Sequence, residues 1–167
     1  MQSQQAYLDN NIVSAIAKDD TPAESDALDD LIEAHERGLV RLITSVLTLE
    51  EIRKYSGVGR RQAERTFRLL EKIPVVRWDE ICGFTCHGDA RTWITSPLFR
   101  NDPLYDRLLK MGLETMDARH VFVCAKNGCP ILLTCDGGIL SRGAEIQHAC
   151  GVAPQKPSNF LVSLAIR

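Results

Sequence analysis

The chain has 167 residues, 44% of them hydrophobic and 25% charged, which rules out a disordered or collagen-like chain and suits one globular domain over 1–167. Its 20 basic and 22 acidic residues leave a net charge of -2, so no whole-chain basic excess advertises nucleic acid, and any such binding must come from a local patch. No apolar run reaches the ~20 residues that span a bilayer, and MQSQQAYLDN lacks a signal-peptide pattern, so a cytoplasmic protein with no membrane partner is expected.

In chain order, Ala6-Tyr7-Leu8 reads as a short strand ending at Asp9, and a short helix follows through Ile12, Val13 and Ile16. Thr21, Pro22 and Glu24 predict a capped helix start, with Leu28, Leu31, Ile32 and His35 at helical spacing and Gly38 as terminator. Leu39–Thr44 is the second strand. A helix opens near Ser45–Thr48 and breaks at Gly57-Val58-Gly59, and Arg60–Lys72 is a basic amphipathic helix. Val75–Trp78 is a third strand. Residues 79–103, with Gly83, Gly88, Pro97 and Pro103 and weak periodicity, read as a long loop or insertion.

Helices are expected over Leu104–Met111 and Met116–Lys126, a buried strand over Ile131–Thr134, a turn at Asp136-Gly137-Gly138 and a helix over Ile139–Cys150. Val152-Ala153 predicts a last strand and Phe160–Ile166 a last helix. Strands alternating with helices imply parallel strands joined by crossovers. The expected fold is therefore α/β, a three-layer α/β/α sandwich on a central parallel sheet of about four to five strands. Asp9 and Asp136 then stand at or just past strand ends, where open parallel sheets bind ligands.

Four strings, YLDNNI, TSVLTLEEI, MDARHVFVCAKNGCPILLTCDGGIL and KPSNFL, occur in this order along nearly the whole chain. Together they resemble the PIN domain family of metal-dependent ribonucleases, in its VapC-type toxin branch. The resemblance implies a PIN-like sandwich and an Mg²⁺- or Mn²⁺-dependent endoribonuclease leaving 5′-phosphate and 3′-hydroxyl ends. RNA is then the substrate, an antitoxin protein a possible partner and a homodimer the expected assembly. The family's acids fall on Asp9, on Glu51 of the Ser45-x-x-Thr48-x-x-Glu51 pattern (with Glu50 an open alternative), on Asp117 before Ala118 and His120, and on Asp136 after Thr134. Asp9, Glu51, Asp117 and Asp136 are thus the expected catalytic and metal-ligating residues. Asn10, Gly137-Gly138 and the 79–103 insertion depart from the pattern.

Four carboxylates in one cleft repel each other and call for a cation, and hard oxygen ligands suit Mg²⁺ or Mn²⁺. Such an ion polarises a phosphodiester and acidifies water. Each acid also has a structural reading. Asp9 suits a cap for the following helix, and Glu51 with Thr48 makes a capping box. Asp117 suits a first helical turn, and Asp136 suits an ordinary glycine turn. Their joint occurrence at strand and helix ends favours the metal site.

From Ile52 to Trp78 eight basic residues face two acidic ones, whereas from Met1 to Glu36 one basic residue faces nine acidic ones. Arg61, Arg65 and Arg68 share a helix face that would steer a phosphate backbone, or simply be solvated. With Asn11 and Thr134 they are the expected substrate-binding groups. Cys82-x-x-x-Cys86-His87 suggests zinc only loosely. Cys124, Cys135 and Cys150 read as small core residues, His120 as a packing residue of its helix, and Trp78 and Trp93 as anchors rather than base-stacking platforms. A PIN-fold module that binds RNA or protein without turnover is the alternative reading.

Overall fold

The computed structural model describes residues 3–12, 22–48, 51, 71–76 and 102–165. Its elements run β1 (Gln4–Leu8), α1 (Pro22–Glu36), β2 (Val40–Ser45), β3 (Val75–Val76), α2 (Pro103–Lys110), α3 (Thr115–Lys126), β4 (Ile131–Leu133), α4 (Gly137–Ser141), α5 (Gly143–Cys150), β5 (Ala153–Gln155) and α6 (Pro157–Ala165). The strands form one sheet in the order β3-β2-β1-β4-β5, and every pairing is parallel. β1 sits at the centre, registered as Ala6 with Leu42 on one side and Ile131 on the other.

Alternation along the strands builds the three layers, because successive side chains point to opposite faces. Tyr7, Ile43 and Leu132 face one way and pack with Leu108 of α2, Val121 and Phe122 of α3 and Ile146 of α5. Ala6, Leu8, Leu42 and Leu133 face the other way and pack with Leu28, Leu31 and Ile32 of α1 and Phe160 of α6. With each fully buried aliphatic or aromatic side chain worth about 1.5–3 kcal/mol, these two faces dominate the stability of the sandwich. The α/β/α architecture on a parallel sheet is the one its alternating sequence pattern predicts.

Several boundaries differ from the sequence reading, each for a local reason. Leu39 is not in β2. It follows Gly38 (φ +73), its N–H bonds the Ala34 carbonyl while that of Gly38 bonds the His35 carbonyl, and it is 58% exposed. This is a Schellman closure, so Gly38 stops α1 as expected but takes Leu39 with it. Glu24 accepts from the Ser158 N–H at 3.0 Å and the Ser158 hydroxyl at 2.8 Å, tying the start of α1 to the first turn of α6, while its expected capping partner Thr21 lies outside the described residues. Proline opens α2 and α6 one or more residues earlier than the apolar periodicity suggests, with Asp102 capping α2 through the Leu104 N–H. The Asp136-Gly137-Gly138 turn is instead a capped helix start, and the helix expected over 139–150 is two, α4 and α5, divided at Arg142. β5 runs through Pro154 rather than stopping before it, which an edge strand tolerates because the missing N–H costs no ladder bond.

Val13, Ile16, Thr21, Glu50, the Gly57-Val58-Gly59 break, Arg61, Arg65, Arg68, Trp78, Cys82, Cys86, His87, Trp93 and most of the expected 79–103 insertion lie outside the described residues. Of the basic helix only residues 71–72 are described, and they are helical. Of the cysteines read as core, Cys124 is fully buried and Cys135 and Cys150 are half-buried; all three are free thiols. Among the described residues, no helix is long and apolar enough to cross a membrane.

Candidate active site

The carboxyl edge of the sheet is where the chain delivers its polar residues. β1 and β4 are neighbours, so the residues following Leu8 and Leu133 emerge side by side. The Asp9 N–H continues the ladder to the Leu133 carbonyl at 3.1 Å. Asp9 is only 4% exposed and accepts a 2.7 Å hydrogen bond from the Thr134 hydroxyl. That hydroxyl in turn accepts the Asp136 N–H at 3.0 Å. One threonine at the end of β4 thus fixes an acid on each of two neighbouring strand ends, which explains a fully buried Thr134 in an otherwise aliphatic strand.

Asp136 divides its carboxylate between two tasks. Oδ1 accepts the N–H groups of Gly138 at 2.7 Å and Ile139 at 3.0 Å, capping α4, while Oδ2 accepts from Asn11 Nδ2 at 3.1 Å. The cap explains the glycine: a Cβ at Gly138 would stand 3.0 Å from Asp136 Oδ1, whereas one at Gly137 would meet nothing within 4 Å. Asp117 enters from the first turn of α3 and is half-buried. Burial, then the charges of Asp136, Asp9 and Glu114, push its carboxyl up to about 6, with His120 opposing. Asp9 and Asp136, from two other segments, therefore act on Asp117 through space.

Glu51 stands apart from these three. Its Oε2 lies 2.9 Å from His120 Nε2, and the same nitrogen is 3.6 Å from Asp9 Oδ1. His120 is not merely a packing residue, as its place on an apolar helix suggests. It is 1% exposed, and its Nδ1 lies 2.8 Å from the hydroxyl of the fully buried Tyr7, which lies 2.7 Å from Ser45 Oγ. Burial works to lower its pKa, but Asp9 and Glu51 more than offset that and the imidazole titrates above its ordinary value. The predicted Thr48–Glu51 capping box is replaced by Ser45, whose Oγ accepts the Leu47 N–H at 3.3 Å, while Thr48 Oγ1 sits 2.9 Å from Thr44 Oγ1.

Tyr7 is the residue the sequence reading missed, and Ser45 was read there only as part of the pattern leading to Glu51. Tyr7 looks like the middle of an apolar run, and only the need of a buried phenol for partners hints otherwise. The i, i+3 spacing of Asp117 and His120 was the available signal for the histidine, since it sets both on one face of α3.

Among the described residues, no group of three or more His, Cys, Asp and Glu side chains is arranged to hold a metal ion. The acids meet at electrostatic rather than ligating range, with Asp9 held by Thr134 and Asp136 by Asn11 and its own cap. Only in donor type, carboxylate oxygen, does the cluster suit a hard divalent cation. No protein-family model matches this chain, and no curated protein matches it.

Proposed function

We propose that this protein is a PIN-type endoribonuclease that hydrolyses RNA phosphodiester bonds with Mg²⁺ or Mn²⁺. The observation that carries the reading is the convergence of Asp9, Asp117 and Asp136 from β1, α3 and the β4–α4 junction on the carboxyl edge of the sheet. The motif order along the chain, which resembles that family, supports it from the sequence side.

The chain's own residues define what the site does. Asp9, Asp117 and Asp136 supply hard oxygen ligands for the ion. Thr134 keeps Asp9 and the Asp136 backbone in register, and Asn11 orients the outer oxygen of Asp136. Glu51, oriented by His120, faces the same edge from the segment after β2. When bound, the ion supplies Lewis-acid activation of a phosphodiester and of the attacking water. Arg61, Arg65 and Arg68, at helical spacing in the sequence, are the basic residues assigned to attracting an RNA backbone. A cytoplasmic homodimer, silenced by a small antitoxin protein, completes the proposal.

The test is cleavage of end-labelled single-stranded RNA by purified protein in Mn²⁺, in Mn²⁺ with EDTA, and by the Asp9→Asn and Asp117→Asn variants. Cleavage that needs the ion and both aspartates supports the reading. Equal cleavage by wild type and both variants ends it, and salt-dependent RNA binding without any cleavage moves the protein to the non-catalytic class.

A further inference from the structure

The end of α3 sets two cysteines against each other. Gly128 (φ +64) closes the helix in a Schellman motif: its N–H bonds the Ala125 carbonyl at 3.0 Å, and the Cys129 N–H bonds the Cys124 carbonyl at 3.1 Å. This motif commonly brings the side chains at those two outer positions into contact. Here both are cysteines, free, buried and part of one core cluster. Cys124 Sγ lies 3.5 Å from the Cys129 carbonyl oxygen, and the two thiols are hydrogen-bond partners. With the two backbones already bonded to each other, a disulfide between these residues asks for little movement.

The two thiols are not equivalent. Cys124 is fully buried, and burial pushes its thiol well above the ordinary range. Cys129 Sγ accepts a 2.9 Å hydrogen bond from Gln5 Nε2. Gln5 stands opposite Arg41 in the β1–β2 register, and with Gly128 and Pro130 both line a cavity of about 510 Å³ at the amino edge of the sheet. Both chain neighbours of Cys129 are thus cavity wall. The hydrogen bond with Cys124, then that from Gln5 and the charge of Arg41, hold the Cys129 thiol below its ordinary range against burial. A fixed N–H donor and a cation favour the thiolate, the reactive form. Because Cys129 is only 2% exposed, the reagent that reaches it is a small one.

We propose that Cys129 and Cys124 form a dithiol oxidised by peroxide, a modification site at the edge of the sheet opposite the acids. The Cys129 thiolate attacks one oxygen of hydrogen peroxide and the O–O bond breaks. The other oxygen takes up a proton and leaves as water, and Cys129 becomes a sulfenic acid. The Cys124 sulfur then attacks the Cys129 sulfur and the S–O bond breaks. The hydroxyl leaves as water with the Cys124 proton, and the S–S bond forms. Two thiols are oxidised by two electrons, and one peroxide is reduced to two waters. The inference stands independently of the nuclease reading.

The experiment exposes the full chain to hydrogen peroxide, alkylates the remaining thiols in denaturant and maps tryptic peptides by mass spectrometry without reductant. Trypsin cuts after Lys126, so the peptide with Cys124 and the peptide with Cys129 and Cys135 stay joined only through a disulfide. Expected is the joined pair in wild type and in Cys135→Ser, in protein that runs as one chain on a non-reducing gel, and its loss on adding dithiothreitol. In Cys124→Ser the Cys129 sulfur instead carries added oxygen, and in Cys129→Ser no pair forms and Cys124 stays a thiol. No joined pair in wild type, a pair that disappears in Cys135→Ser, Cys129 joined to any other cysteine or to a second chain, or oxidation of Cys124 in Cys129→Ser overturns the proposal.

Discussion

Replacing Asp117 by asparagine tests the electrostatics of the acid cluster without reference to any substrate. A carboxyl raised from its ordinary value to about 6 disfavours the ionised folded state by at most about 3 kcal/mol. Solvent around a half-exposed side chain cuts that to about 1 kcal/mol. The sign follows from proton linkage: between the ordinary value near 3.8 and about 6 the folded chain binds more protons at Asp117 than the unfolded chain, so stability falls as pH rises through that window and stays down above it. Asparagine is neutral throughout and does not suffer this loss. In EDTA, Asp117→Asn should melt about 2–4 °C above wild type at pH 8, the shift expected for about 1 kcal/mol in a domain of this size. The gap should close toward pH 4.5. On the proposed nuclease reading, adding Mn²⁺ at pH 8 should raise wild type more than the variant and narrow or reverse the gap, since the variant lacks one of the proposed carboxylates. Thermal melts by circular dichroism at four pH values, with and without Mn²⁺, decide it. An Asp117→Asn protein that melts at or below wild type at pH 8 in EDTA, with no dependence of the gap on pH, refutes the claim that burial and the charges of Asp136 and Asp9 strain Asp117.

Three further outcomes follow from the same contacts. Thr134→Val removes the hydroxyl that donates to buried Asp9 and accepts from the Asp136 N–H, and should lower the unfolding free energy by about 1–3 kcal/mol in urea titration; a change under about 0.5 kcal/mol would contradict the bridge. Gly138→Ala pushes against Asp136 Oδ1 and should weaken Mn²⁺-induced thermal stabilisation, while Gly137→Ala, with open space around it, should leave that stabilisation intact and gain up to about 1 kcal/mol from helix propensity. Equal behaviour of the two alanine variants would remove the steric argument. Ser158→Ala strips one of the two hydrogen bonds to Glu24 and should cost about 1 kcal/mol by chemical denaturation, with Glu24→Gln at pH 7 costing a comparable amount.

The sandwich was legible in the sequence because its signals are local and redundant. Alternating faces along β1, β2 and β4, the helix periodicity of Leu28, Leu31 and Ile32, and terminators such as Gly38 all point to one layer order. Boundaries were less legible where one residue serves two elements: Gly38 ends a helix and also ejects Leu39, and Asp136 is both a turn residue and a helix cap. Asp9 and Asp136 were marked by their positions at strand ends, whereas Asp117 and Glu51 came from the family resemblance. Their partners were not, because partnership joins residues far apart in the chain.

Tyr7 and His120 are separated by 113 positions, and Glu51 and His120 by 69, and neither pair leaves a trace in local periodicity. What does leave a trace is composition at sites where the fold should tolerate only hydrocarbon. Tyr7 occupies the central strand, Thr134 closes a buried one, and His120 sits amid Ala118, Val121, Phe122 and Val123 on a core-facing helix. A buried polar group is costly unless it is satisfied, so each of these residues implies a partner somewhere on the same edge of the sheet. Because Asp9 contacts both Thr134 and His120, the two chains of contacts meet at one carboxylate. Replacing Asp9 should therefore disturb the Thr134–Asp136 bridge and the His120–Glu51 clasp together, where replacing Asp117 touches neither by direct contact.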